Sequence, residues 1–373
     1  MMRPLQVGAI AGVRPPLDAA LAGVRATEAA GFDAAWWSDH FLHWFPPGVW
    51  TPDVTPMAAA VRSPHAFLDP TAVMAAAAAG TERIRLGTAV TDPVRRHPAV
   101  LAQTFLTLDH LSRGRAILGI GVGEAENILP YGLPYDRRAS RLIEAIEVIR
   151  LLWGTTDPVS YRGEHFTLDD AILGAEPHGD APPPIWIAAH RPRMLEATGR
   201  LADGWLPILT DADRYGAALG RVRDASAAAG RPRDHVTAGL YAWILVDEDR
   251  EAARRMLGST LMRFVALTAP ADAFRRAGAE PPIAEGWGLV HYVPTRIGRE
   301  EGLRMAAAVP DAVLEEYVMW GTPDDIVERL RPFRAAGLEH VYLANVSALG
   351  DPAKAASSTA LLADILAGLR RLP

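Results

Sequence analysis

Apolar positions along the chain alternate between two rhythms. Short apolar runs of strand length are followed by longer stretches with apolar residues at three- and four-residue spacing. The pattern is clearest near the two ends. Leu17 to Ala30 carries helical periodicity, Gly31 follows as a left-handed cap, and Phe32 to Trp37 reads as a strand. Near the other end, Thr322, Pro323 and Asp325 form a capping-box start, the helix runs to Ala336, Gly337 closes it, and His340 to Asn345 is the next strand. Further strands are expected at Leu5 to Ile10, Ile84 to Val90, Arg115 to Ile120, Ile185 to Ala189 and His235 to Val246. Ala139 to Trp153 is the clearest amphipathic helix, with Leu142, Ile143, Ile146, Ile149, Leu152 and Trp153 at helical spacing. Strands separated by helices of this length predict a mainly parallel sheet, and about eight such units predict a closed (β/α)8 TIM barrel of the α/β class.

Three stretches interrupt the rhythm. His43 to Pro64 is rich in Pro, Trp and Met, and His165 to Pro184 is rich in Gly and Pro; both read as long loops. The largest, approximately 248–310, has its helices broken by Pro270, Pro281, Pro282, Pro294 and Pro310. The expected organisation is a single barrel domain over 1–373 with that insertion near the active face. Loops that follow barrel strands lie on the catalytic face, so these stretches are candidate lids and substrate walls, although packing on the outside would account for them as well.

Composition narrows the chemistry. With 49% hydrophobic and 22% charged residues, a chain of 373 residues can bury a core without a disulfide or metal staple. It has no cysteine, which removes a disulfide framework, a thiolate metal site and a cysteine nucleophile, so redox work requires a bound cofactor. The net charge of −6 and the lack of a Lys/Arg-rich run argue against a nucleic-acid partner. Lys354 is the only lysine. Met1 to Leu5 does not read as a signal segment and Ala72 to Ala79 is too short to cross a bilayer, so no membrane span and a cytoplasmic address are expected.

Four constellations could carry chemistry. Ser38-Asp39-His40 ends a strand just before the aromatic loop with His43, Trp44 and Phe45, where a barrel places an acid or base; an Asp-His pair also serves as a plain structural contact. Gly119 to Asn127, reading GIGVGEAEN, lacks the third glycine of a dinucleotide fingerprint. It reads instead as a strand whose glycines let a flat ligand approach, ending in a carboxylate, or as a simple turn. Gly87 to Pro93 is another strand end, followed by Arg95-Arg96-His97-Pro98. Ile185 to Met194 joins a strand to a helix beside Arg191 and Arg193, which suits a phosphate or merely a solvated helix start. No G-x-S-x-G elbow, H-E-x-x-H or P-loop occurs, and no metal site is expected.

Together these segments resemble the luciferase-like superfamily, specifically its F420-dependent branch, with the phthiodiolone ketoreductases of actinobacteria as the nearest likeness and the F420-dependent glucose-6-phosphate dehydrogenases as relatives. The resemblance rests on Val90-Thr91-Asp92 with Arg95 to Val100, on Arg113 to Glu124, on Pro130-Tyr131-Gly132, on Ala188-Ala189-His190 with Pro192 to Leu195, on Ala197 to Arg200 and on Gly321 to Asp324. It implies coenzyme F420, or FMN as the alternative, at the C-terminal mouth of the barrel, backed by a cis bond at Ala89-Val90. It places Asp39, Asp92, Val122, Gly123 and Asn127 around the ring and ribityl chain, and His190, Arg191, Arg193 and Met194 by the phosphate. From the sugar-phosphate enzymes it carries proton transfer to His40 and Glu124 and a place at the reaction centre to Trp44, which the ketoreductases do not reproduce well. The implied activity is hydride transfer to or from a small-molecule ketone or secondary alcohol by a homodimer; a sugar-phosphate dehydrogenase, an FMN-dependent monooxygenase and a non-catalytic cofactor-binding barrel are the alternatives. Asp211 stands where a sugar-phosphate enzyme would want a lysine, which favours an uncharged substrate. Trp44, Phe45, Trp50 and Met57, with Trp287 and Tyr292, are candidates for an apolar wall or for core packing.

Overall fold

A computed structural model describes residues 4–283 and 288–373. Eight parallel strands close into a barrel: β1 Gln6–Ile10, β2 Ala34–Trp37, β3 Arg85–Thr88, β4 Ala116–Ile120, β5 Ile185–Ile187, β6 Gly204–Trp205, β7 Thr237–Val246 and β8 His340–Asn345. Each pairs with its neighbours in chain order, and β8 returns to β1 with His340 opposite Gln6, so the ring has no free edge. The fold is the (β/α)8 barrel that the strand and helix rhythm predicts.

The end units form as their residues dictate. Thr322 Oγ1 accepts the Asp325 N–H while the Asp325 carboxylate accepts the Thr322 N–H, opening helix Pro323–Ala335. Gly31 and Gly337 take the left-handed conformation that ends their helices, with φ of 88° and 105°. Helix Arg138–Trp153 buries Leu142, Ile146, Ile149 and Leu152 against the barrel. Three features escape the sequence rhythm. Strand β6 is two residues long, too short to show a period. Part of the expected loop after His165 is a strand, Thr167–Ala171, paired antiparallel with Val159–Arg162. Met319–Gly321 adds a short parallel strand beside the end of β7.

Two indoles fill the barrel. Trp36 and Trp186 are buried with ring centroids 5.3 Å apart, and glycines on adjoining strands make room for them. A Cβ on Gly8 would lie 2.5 Å from Trp36 Nε1, one on Gly87 2.5 Å from Trp36 Cζ3, and one on Gly204 2.2 Å from Trp186 Cδ2. Trp36 Nε1–H donates to His340 Nε2 at 3.1 Å, and burial holds the pKa of that histidine down to about 3, so the ring stays neutral.

Between β7 and β8 lie helices Arg250–Leu257, Thr260–Leu267, Ala271–Arg276, Arg299–Ala307 and Asp311–Tyr317. Pro270 and Pro310 stand at helix starts, where their missing N–H costs nothing. These helices pack on Phe45, Val49 and Trp50 of the loop after β2 in one hydrophobic cluster that continues into the barrel through Trp36, Trp186 and Tyr342. Phe45 and Trp50 therefore anchor that loop, Tyr292 is buried in the same cluster with Met57 packed against it, and Trp287 lies outside the described residues. Among the described residues no helix is long and apolar enough to cross a membrane.

Because both indoles are enclosed, Gly87→Ala should destabilise the protein by at least about 2 kcal/mol through overpacking. Gly220→Ala, on a helix with nothing within 4 Å of the new methyl group, should instead stabilise by roughly 0.5–1 kcal/mol. Urea unfolding of the two variants beside the parent checks the contrast.

Candidate active site

Residues that follow β2 to β6, together with β7 and the insertion, line a cavity open to solvent at the C-terminal mouth. Asp39, His40, Trp44, Ala89, Val90, Asp92, Val122, Gly123, Glu124, Asn127 and His190 all line it. The Ala89–Val90 peptide bond is cis.

The glycine run that ends β4 places Gly121 and Gly123 on the cavity and also makes room for neighbouring chain. A Cβ on Gly119 would lie 1.8 Å from the Thr88 carbonyl oxygen and one on Gly121 2.8 Å from Val90 Cγ2, so these glycines admit β3 and the residues after it. Gly123 has φ 81° and faces Ile128, turning the chain so that Glu124 points into the cavity.

Asp39 and Asp92 are buried, and their carboxylates are already engaged. Arg95 donates to Asp39 Oδ1 at 3.1 Å and to Asp92 Oδ2 at 2.6 Å, while Asp39 Oδ2 accepts from Thr91 Oγ1 and from Arg96. Burial works against the charge on Arg95, but the two aspartates outweigh it and raise its pKa. Asp39 and Asp92 thus build the floor of the site as a paired network, and Arg95 joins the lining as a cation that the sequence patterns left without a role.

Asn127 ties the halves of the site together. Its Oδ1 accepts the backbone N–H of Phe41 at 2.7 Å and of Leu42 at 3.2 Å, which leaves Nδ2 to face His40 Nδ1 at 3.0 Å and Glu124 Oε2 at 3.4 Å. His40 Nδ1 also lies 3.1 Å from Glu126 Oε1 and 3.6 Å from Glu124 Oε2. Burial pushes the Glu124 carboxyl up to about 7, and the nearby His40 only partly offsets it. Burial also raises Glu126, 1% exposed, well above the usual glutamate range. A neutral Glu126 can donate to Nδ1, as Asn127 does, and the ring proton then sits on Nε2. Sequence reasoning missed Glu126, since only the tertiary fold brings its short helix, Ala125–Ile128, under His40.

At the other end of the cavity, His190 Nε2 accepts the Ile208 N–H at 2.9 Å, and burial, helped by Arg191, lowers its pKa to about 3; it can donate to an anion but brings no charge. Arg191 borders an adjoining depression, Arg193 donates to Ser140 Oγ, and neither lines the cavity. Met194 packs in the core and its N–H donates to Arg191 O, so it does not reach the site. Asp211 caps helix Ala212–Ala228 and also stays outside the lining. Tyr241 and Trp243 of β7 and Leu289 and Val290 of the insertion complete the wall, unforeseen because only the closed ring places them there. Tyr135 donates to the Val290 carbonyl, fastening the insertion to the segment after β4.

Residues 2–340 match the profile of the family described as luciferase-like monooxygenase. The chain belongs to this family. Among luciferase-like relatives, it is 37% identical over 365 residues to the phthiodiolone/phenolphthiodiolone dimycocerosates ketoreductase of Mycobacterium tuberculosis, covering 96% of each chain. It is 30% identical over 328 residues to the 5,10-methylenetetrahydromethanopterin reductase of Archaeoglobus fulgidus, covering 85% of this chain and 86% of that one. The same luciferase-like barrel occurs in an F420-dependent secondary alcohol dehydrogenase in complex with an F420-acetone adduct, with a TM-score of 0.74, 23% identity, and coverage of 98% of this chain and 99% of that chain.

The raised pKa of Glu124 ties stability to pH. A folded value of about 7, above that of the unfolded chain, means a contribution present at low pH and lost as pH rises through about 7. Glu124→Gln removes that slope. Denaturant unfolding at about pH 5 and about pH 8 should show the parent losing on the order of 1–3 kcal/mol more than the variant over that range.

Proposed function

We propose that the chain is an F420-dependent oxidoreductase that interconverts a ketone and a secondary alcohol, with His40 and Glu124 handling the proton. The observation that carries this reading is the convergence of His40 and Glu124, 3.6 Å apart, on one rim of a cavity whose other walls are largely apolar. Support also comes from a relative named as a ketoreductase and from the alcohol dehydrogenase structure that carries an F420 adduct.

The donor set suits a flat cofactor ring. Ala89, Val90, Val122, Ala188, Leu206 and Ile208 offer hydrocarbon, while Asp39, Asp92 and Asn127 gather on one side. Bound there, a reduced deazaflavin supplies a hydride. His190 serves its phosphate as a neutral donor, with Arg191 and Arg193 beside the start of helix Pro192–Leu201 supplying charge.

His40, which gives up the proton on Nε2 as Nδ1 takes one from Glu126, and Glu124, about half protonated near neutrality, both act as acids toward a carbonyl oxygen and as bases in the reverse direction. Asn127 and Glu126 hold the imidazole in place by its other nitrogen. Trp44 and Trp243, edge to face at 5.2 Å, wall the reaction centre from solvent. A homodimer goes with this reading through the family resemblance.

Titration with F420 and, separately, with FMN, following the fluorescence of the 10 tryptophans, should give saturable quenching by F420 alone. A preference for FMN would move the chain to the oxygen-using monooxygenases of the family. In the F420-loaded enzyme, His40→Gln and Glu124→Gln should each lower turnover roughly 10²- to 10⁴-fold while F420 affinity stays within about three-fold. Normal turnover in both variants would refute the assignment, and F420 binding with no turnover dependent on His40 would identify a cofactor-binding barrel.

A further inference from the structure

A second cavity, also open to solvent, lies between the ends of β1 and β8 and the loop after β2. It shares His40, Trp44, Tyr241 and Trp243 with the first, so the two adjoin at those side chains. Most of its surface is hydrocarbon, no carboxylate lines it, and Arg14 is its one permanently charged lining residue among those described.

Arg14 is partly buried, and burial lowers its pKa. Its guanidinium lies 5.0 Å from the centroid of the Phe67 ring and makes no hydrogen bond or ion pair with any described residue. The groups around it do not neutralise it. His43 Nδ1 accepts the Trp44 N–H at 2.8 Å, so its remaining proton is on Nε2, and His65 Nδ1 accepts the His43 N–H at 3.1 Å. Burial and the charge of Arg14 hold both rings below the ordinary histidine pKa. A partly buried guanidinium set beside an aromatic ring in a cavity without a carboxylate favours an anion that can pair with it. The planar fork matches a carboxylate in two parallel hydrogen bonds, whereas a phosphate dianion would bring a second charge that no second cation answers.

We infer that this cavity receives the body of the substrate and that Arg14 binds a carboxylate on it, which makes the substrate an apolar oxo acid or the corresponding hydroxy acid. The inference rests on the ketone and alcohol reading of the neighbouring site. In the reduction, the carbonyl carbon gains a hydride from the reduced deazaflavin and its oxygen gains a proton from His40 or Glu124; the carboxylate is unchanged.

The test uses the full chain without cofactor. Decanoate, a methyl ketone of the same length and decyl phosphate are titrated separately, following the fluorescence of the tryptophans that line the cavity. Decanoate should bind at least about ten-fold more tightly than either of the others. Arg14→Ala should weaken decanoate roughly ten- to a hundred-fold and the ketone by less than about two-fold, with Arg14→Lys in between. In the F420-loaded enzyme, Arg14→Ala should raise KM for an oxo derivative of decanoate far more than it lowers kcat. Equal binding of decanoate and the ketone, tighter binding of the phosphate, or indifference of decanoate to Arg14→Ala would overturn the inference. The first two comparisons need no variant and so hold even if Arg14→Ala misfolds. Failure of F420 to bind would remove the underlying reading instead, while the decanoate comparison still reports on Arg14.

Discussion

The two backbone N–H groups that converge on Asn127 Oδ1 set the order of the mouth. Phe41 and Leu42 leave β2 with no strand partner, and the side-chain amide after β4 satisfies them. That single oxygen fixes the orientation of the amide and places its nitrogen between His40 and Glu124. Without it the loop after β2 would lose its register against the segment after β4, and with that the spacing of every titratable group on the rim.

Burial then separates the roles of the acids. Asp39 and Asp92 are paired with Arg95 and serve as a charged but satisfied foundation. Glu124 and Glu126 lie nearby without a hydrogen-bonded arginine, and their carboxyls are pushed toward the neutral form. Asp39 and Asp92 thus sit under the guanidinium groups of Arg95 and Arg96, while burial pushes the two glutamates toward carrying a proton.

Much of this was legible in the residues. The capping box at Thr322, the caps at Gly31 and Gly337 and the helix ending at Trp153 are local, so their chemistry is written in adjacent positions. His40 and Glu124 could be picked out because strand ends of a barrel share one face. What depended on distance was not legible. The two-residue β6 has no period, Glu126 acquires meaning only under His40, and Met194, expected by the phosphate, packs in the core. The glycines at the end of β4 were read as making space for a ligand; that Gly119 and Gly121 also admit Thr88 and Val90 becomes visible only when the strands are paired.

The wall common to the two cavities carries a thermodynamic consequence. His40, Trp44, Tyr241 and Trp243 face both spaces, so an occupant of either one restricts the rotamers open to the same four side chains. Linkage makes such an effect mutual: whatever filling one space does to the affinity of the other, the reverse order does by the same factor. Cooperation between two ligands can therefore arise here from a shared partition, with no domain closing over either of them.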